Sequence, residues 1–309
     1  MKKLLLTITG IITAFTFCFA QNGEKGTKFY TVKNITGITA GYTFQIEVTE
    51  GSSDKIEISA PVETLEALIV KISNEVLILD LDFTKAPKRK NKGGKYVMSK
   101  GNKVLYGPIN VKMEMAQIEK IKLSGAASVK TSGTFKGEKL SVSLSGASAF
   151  SDFTTAAKSV NAHLSGASRL NLNGEFEILD IEQSGATKLS CTGNYMKGSF
   201  SLSGASTSQT NGNSENLSIE LSGSSKIRAK GNADKLKVEC SGASKANLED
   251  MNAKVAEIEQ SGATKVIVNV EEKLNAELSG ASRLEYKFLG QHSDIHIEKS
   301  RASKATRKE

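Results

Sequence analysis

Apolar positions along this chain follow two regimes. Through residues 29 to 115 they alternate with polar ones in short runs that share no period. Tyr42, Phe44, Ile46 and Val48 take every second place, the spacing of a strand with one buried face. Ile56 and Ile58 repeat it, and Pro61 stops the run. Leu68, Val70 and Ile72 make a third strand, and Ser73-Asn74 turns the chain into Val76 to Leu81. That last run is apolar almost throughout, which predicts a strand buried on both faces. Val111 to Met115 leads into the second regime.

From there the chain repeats itself. The stretch LSGAS, or a close variant, recurs with its first serine at Ser124, Ser145, Ser165, Ser184, Ser203, Ser222, Ser241, Ser261, Ser279 and Ser300. A fixed period of 18 to 21 residues is the signature of a solenoid. With the first serine as position 0, positions −5 and −3 are mostly aliphatic, as in Leu179 and Ile181 or Leu217 and Ile219. Position +5 is usually aliphatic too: Val129, Leu170, Leu189, Ile227, Val266 and Leu284. A short strand therefore precedes each turn and another follows it. Glycine recurs at +9 (Gly133, Gly174, Gly193, Gly212, Gly231) and marks a second bend, after which Phe135, Phe176 or Ala233 opens a third apolar stretch.

The turn residues have separate jobs. The glycines at +1 (Gly125, Gly146, Gly166, Gly185, Gly204, Gly223, Gly242, Gly262 and Gly280) allow the positive φ that a tight bend needs. Alanine at +2 is small enough to stack on the alanine of the next coil. Ser or Thr at +3 bonds backbone at the corner or forms a stacked hydroxyl row. Arg301 replaces the last +1 glycine, which predicts a frayed or capping final coil. The variable period argues against a left-handed hexapeptide helix, and no asparagine or aspartate column matches leucine-rich or calcium-binding repeats. The reading is all-β: a right-handed parallel β-helix of about ten coils over residues 118–309, preceded by a less regular β region over 21–117.

Charge adds two lines to this picture. Position −2 is Glu at Glu182, Glu220, Glu239, Glu259, Glu277 and Glu298. Position +4 is basic at Arg169, Lys188, Lys226, Lys245, Lys265, Arg283 and Lys304. If the turn brings the two lines together, they form an ion-pair strip; otherwise each is a linear charged surface able to hold a polymer. The segment 85–103 carries Lys88, Arg89, Lys90 and Lys92 with no acid among them and reads as a long solvated loop. Those four residues, with Lys188, Lys226, Lys245, Lys265 and Arg283, are the candidate contacts for an anionic glycan or cell-surface polymer. Nucleic acid fits poorly, because stacking aromatics do not interleave with the basic residues.

Other chemistry is thin. His292 and His296 are four apart in a strand context, too distant for a shared metal, and no phosphate loop, dinucleotide fingerprint or zinc spacing occurs. No cofactor is implied. The acids are spread one per coil and not gathered into a catalytic pair. A flat Ser/Thr array at +3, of the kind that binds ice, is one row wide and adjoins the basic row. Cys191 and Cys240 sit at different repeat positions and read as apolar core residues. Lys2 and Lys3, the apolar run from Leu4 and the small residues Cys18 and Ala20 read as a signal peptide over 1–20, cleaved after Ala20. That predicts export to the periplasm, the outer surface or the medium, with no membrane span after cleavage.

Residues FYTVKNITGITAGYTFQIEVTEG at 29–51, KIEISAP at 55–61, LEALIVKISNEVLIL at 65–79 and the serial LSGAS copies resemble the family described as putative auto-transporter adhesin, head GIN domain. The resemblance covers nearly all of the chain after residue 20. It implies a right-handed, pectin-lyase-like β-helix in an exported bacterial envelope protein, with no established catalytic residues and a suggested role in adhesion. The segment 85–95 and the tail RASKATRKE depart from the family pattern. A carbohydrate-active β-helix enzyme is the alternative.

Overall fold

The computed structural model describes residues 13–17, 25–86, 97–100, 103–291, 294–300 and 302–309. Strand accounts for 67% and helix for 3%, so the class is all-β, and the chain forms a parallel β-solenoid of about ten turns. It divides into two units, Met1–Thr154 and Thr155–Glu309.

In Thr155–Glu309 the coils stack in parallel, in register around the SGA turns and with register shifts at Arg228/Lys230, Leu248/Asn252 and Ala253/Val255. Phe176–Gln183, Tyr195–Leu202 and Ser214–Leu221 run parallel, with Ile181 opposite Phe200 and Phe200 opposite Ile219. On the other side of the turn Arg169–Gly174, Lys188–Thr192 and Thr207–Asn211 do the same. The predicted apolar positions fill the interior: Leu179, Ile181, Leu217, Ile219, Leu236 and Val238 before the turn, Leu170, Leu189, Ile227, Val266 and Leu284 after it, all at most 3% exposed. Each coil has a third corner that periodicity missed. In Phe176–Gln183 the burial order is inward, outward, outward, inward. Two successive outward residues break a period of 2 and turn the backbone a third time.

The +1 glycines carry φ between 64° and 77°. The bend is repeated by backbone alone: Ala186 N–H donates to Gly166 O at 2.7 Å, Ala205 to Gly185 O at 2.7 Å, and Ala243 to Gly223 O at 2.7 Å. The +2 alanines are exposed, and the +3 hydroxyl residues are buried, from Ser168 (0%) and Ser206 (0%) to Thr264 (2%). In some turns the hydroxyl bonds the carbonyl of its own turn, Ser168 Oγ to Ser165 O at 2.9 Å and Ser303 Oγ to Ser300 O at 2.8 Å, and enters the core satisfied; Ser148 and Ser282 are buried with no partner for Oγ among the described residues. A buried row cannot present a Ser/Thr array to ice. The final coil is paired and not frayed. Lys304–Arg307 lies parallel on Arg283–Phe288, and Ser303 Oγ donates to Leu278 O at 3.2 Å. Arg301 lies outside the described residues.

In Met1–Thr154 the parallel ladder starts well before the first LSGAS. Gly37–Ala40 pairs in parallel with Lys120–Leu123, and Phe44–Glu50 with Ser128–Ser132. The turn between them, Gly41-Tyr42-Thr43, is a coil corner without the motif. Below it lie Val76–Leu81, parallel to Gly37–Ala40, and Ile109–Met115, parallel to Phe44–Glu50. Val76–Leu81 is not buried on both faces. Leu77, Leu79 and Leu81 point inward, while Val76 and Ile78 are half-buried and Asp80 is exposed, because alternate residues of a strand in the solenoid wall face outward. A short helix, Val62–Glu66, follows Pro61. The expected long loop at 85–103 is partly structured: Val97–Lys100 and Lys103–Tyr106 form an antiparallel hairpin. The alternation in VMSK and KVLY around Gly101-Asn102 supports it. Thr13–Phe17 pairs antiparallel with Lys25–Thr31.

Candidate functional site: two charged rows and a groove

The register of Thr155–Glu309 turns each charged column into a ladder. After the turn, Arg169, Lys188, Thr207, Lys226, Lys245, Lys265, Arg283 and Lys304 stand opposite one another in sequence. Thr207 is the one break, so the last five coils carry an uninterrupted basic row. Before the turn, His163, Glu182, Ser201, Glu220, Glu239, Glu259, Glu277 and Glu298 stand opposite one another. Ser201 breaks that row, and the same five coils carry an uninterrupted acidic one. Parallel strands repeat about every 4.8 Å, so each row places like charges at that pitch.

The rows do not neutralise each other. Among the described residues no ion pair joins a −2 glutamate to a +4 cation. Lys265 bonds Glu285, two positions further along the strand after the turn. Glu239 bonds Lys237 on its own strand, at 2.6 Å. His163 meets Glu182 at 2.8 Å and His296 meets Glu298 at 3.1 Å, partners the sequence did not single out. Glu220, Glu259 and Glu277 have no ion pair among the described residues, and neither do Lys188, Lys226, Lys245, Arg283 or Lys304. The turn keeps the rows on separate faces of the coil.

The acidic row lines a groove of about 610 Å³. Glu220, Glu239, Glu259, Glu277 and Glu298 form one wall, and the first serines of the same turns, from Ser222 to Ser300, form the other. Ser241 and Ser279 spend their hydroxyls on the carbonyls of Leu221 and Gln260, at 3.4 and 3.2 Å. No group of three His, Cys, Asp or Glu among the described residues comes close enough to hold a metal ion. Lys88, Arg89, Lys90 and Lys92 lie outside the described residues, so nothing places the basic segment relative to the rows. Among the described residues no helix is long and apolar enough to cross a membrane.

Two further features escaped the sequence reading. An asparagine ladder follows the +9 glycines: Asn194 Oδ1 accepts from Asn213 N–H at 2.8 Å, and Asn213 Oδ1 from Asn232 N–H at 3.0 Å. The recurring Gly-Asn pairs at 193–194, 212–213 and 231–232 were its signal. Inside the turn, two copies read QSGAT in place of LSGAS. Gln183 is 3% exposed and donates to Thr187 Oγ1 at 3.0 Å; Gln260, also 3%, donates to Thr264 Oγ1 at 3.1 Å. A polar residue at −1 thus comes with Thr at +3. Cys191 and Cys240 are free and buried, and burial pushes each thiol up to about 12.

Serial SGA corners on a parallel ladder, with charge confined to outward rows, define a β-solenoid with a linear surface. The profile of the family described as putative auto-transporter adhesin, head GIN domain, matches residues 34–193 and 177–288, and the chain belongs to that family. A solved structure of a putative adhesin from Parabacteroides distasonis is similar in fold, with a TM-score of 0.50 and 14% identity, covering 93% of this chain and 98% of that one. A putative adhesin from Parabacteroides merdae aligns over 93% of this chain and 98% of its own, at 14% identity and a TM-score of 0.45. No curated protein matches the chain.

Proposed function

We propose that this chain is an exported, non-catalytic adhesin of the cell envelope that holds an extended anionic polymer along its basic row. The observation that carries this is the uninterrupted stack Lys226, Lys245, Lys265, Arg283 and Lys304. Four of these cations have no ion pair among the described residues, and a linear row matches a linear ligand. Export rests on the sequence of residues 1–20, and adhesion on the family to which the chain belongs.

A glycan-cleaving enzyme is the second reading, because a groove lined by carboxylates exists. Neighbouring carboxylates at about 4.8 Å stand near the separation of a retaining pair. Such a pair needs two unlike environments, one of which keeps a carboxylic acid protonated. The row instead leaves its members open to solvent, Glu239 and Glu298 being 41% and 68% exposed. That favours binding over turnover.

A glycan array run at low and moderate salt tests both. Salt-sensitive binding to anionic glycans is expected. Replacing Lys226, Lys245 and Arg283 by Gln is expected to weaken it about tenfold or more, since each exposed pair is worth up to about 1 kcal/mol. Unchanged binding in that variant would remove the basic row from the proposal. Cleavage of any bound glycan would overturn the non-catalytic reading.

A further inference from the structure

The acidic groove has no role in holding an anionic polymer, yet it is as regular as the basic row. Both uninterrupted runs occupy the same five coils: Glu220 with Lys226, Glu239 with Lys245, Glu259 with Lys265, Glu277 with Arg283, and Glu298 with Lys304. They therefore have equal length and the same pitch. Each row holds like charges one strand spacing apart, so each is self-repelling until an opposite charge meets it. The chain does not bring its own two rows together. A second copy can. Its row has the identical spacing by construction, so a fit at one coil repeats at the next four without mismatch. The shapes also agree, because the carboxylates line a concave groove and Lys226, Lys245, Arg283 and Lys304 stand exposed on a strand face, with Lys265 half-buried among them.

We propose that copies of this protein associate side by side, the groove along Glu220, Glu239, Glu259, Glu277 and Glu298 of one receiving the row Lys226, Lys245, Lys265, Arg283 and Lys304 of the next. The two patches are different surfaces, so the contact is heterologous. Each added copy still offers a free groove on one side and a free basic row on the other. Such a contact does not close, and it grows into an open array. The proposal does not rest on polymer binding, although the two compete for the basic row: an anionic polymer in excess disperses the array.

Sedimentation velocity on the purified protein reads this directly. At about 20 mM salt the average mass should rise with concentration past the dimer. At about 0.5 M salt, where the Debye length falls to about 4 Å, it should return to the monomer. Two variants separate the surfaces. Glu220→Lys, Glu259→Lys and Glu277→Lys together remove the groove's charge; Lys226→Glu, Lys245→Glu and Arg283→Glu together remove the basic row's. Each alone should be monomeric at low salt. Mixed, they should form a 1:1 complex, because one keeps an intact basic row and the other an intact groove. Circular dichroism checks that both fold, and Gln in place of the reversed charges serves if either does not. A monomeric parent protein at low salt overturns the proposal. So does a mixture that stays as two monomers, or a single-row variant that assembles as the parent does. The groove variant keeps the basic row, so it should still bind anionic glycans, which separates failure here from failure of the polymer reading.

Discussion

The corner at Gly41-Tyr42-Thr43 and the corners at Gly185 or Gly223 make the same bend from different residues. Tyr42 stands at φ 50°, in the left-handed region that the +1 glycines occupy. The next coil builds on it identically: Ala126 N–H donates to Tyr42 O at 2.7 Å, as Ala186 does to Gly166 O. What differs is the side from which a Cβ would project. At Gly223 that space holds the backbone of the previous turn, with Gly204 O at 2.8 Å and Gly204 N at 3.0 Å. At Tyr42 the segment before Ile109–Met115 makes no such turn. The tyrosine ring instead packs on Phe83, centroids 5.4 Å apart, and Thr43 donates to Gly107 O at 3.2 Å. Glycine is thus required by the neighbouring coil as much as by φ. Where no turn lies beneath, a large side chain takes the corner and accepts the backbone strain, on the order of 1–2 kcal/mol.

The sharpest way to break this comparison is to put a methyl group on an internal corner. Gly223→Ala adds a Cβ against Gly204 backbone at a residue with φ 65°, and two strained terms act together. A loss of about 3 kcal/mol is expected. Gly137→Ala, where nothing lies within 4 Å, should cost almost nothing. Tyr42→Gly should fall between, losing a ring contact and gaining backbone ease. Urea unfolding of the three variants checks the order. If Gly223→Ala were as mild as Gly137→Ala, stacking would not explain the conserved spacing of glycine within this chain.

The same logic separates what was legible in the sequence from what was not. Interior positions at −5, −3 and +5 were legible, because a strand buried on one face writes its burial as alternation. The +3 residues were not, because a hydroxyl looks like a surface residue until its partner is known. Ser168 and Ser303 bond the carbonyl at position 0 of their own turns, which no hydropathy pattern encodes. The one non-polar member, Ala127 (0% exposed), was the available hint. The coil at residues 37–50 was hidden for the opposite reason: its corner uses an aromatic where the motif has glycine. Its partners Val76–Leu81 and Ile109–Met115 lie later in the chain than the coil they support, so periodicity had nothing to follow. For the charged rows, position and sign were legible and their pairing was not. Whether two columns meet across a turn depends on the bend of the SGA corner between them, which hydropathy does not encode.

A smaller effect tests whether the corner's interior is as tightly coupled as its exterior. Gln183 reaches Thr187 Oγ1 and accepts from Ser208 Oγ. Gln183→Leu restores the common residue at −1 but strands two buried hydroxyls. About 2 kcal/mol should be lost, since each unpaired buried group costs on the order of 1–3 kcal/mol and the added leucine offsets part. Adding Thr187→Ser rebuilds LSGAS and should recover part of that loss. In a double-mutant cycle the coupling should exceed about 0.5 kcal/mol. Additive losses would mean that Gln and Thr occur together in QSGAT without depending on each other.

The smallest effect is expected at Lys304–Arg307, where a charged side chain adds to the backbone pairing with Arg283–Phe288. Lys308 Nζ reaches Glu249 Oε1 at 3.3 Å and Glu285 Oε2 at 3.3 Å, tying the final strand to two earlier coils. Hydrogen bonds from Lys265 and Lys308 hold the Glu285 carboxyl below its ordinary value, Lys265 contributing most. A depressed carboxylate stabilises the fold fully above the unfolded value of about 4.3 and loses that contribution as pH falls through the lower folded value. Amide protection in Lys304–Arg307, taken relative to the intrinsic exchange rate at each pH, should therefore stay high at neutral pH and fall selectively below about pH 4, before the interior coils respond. Lys308→Ala should quicken the same amides already at neutral pH, by a few fold, because the tie is exposed and weak. Glu285→Gln should do likewise and remove the acid dependence. If exchange in Lys304–Arg307 were unchanged by either substitution, backbone pairing with Arg283–Phe288 alone would hold the last coil. The ion pairs of Lys308 would then add nothing to that strand, unlike the ring contact at Tyr42.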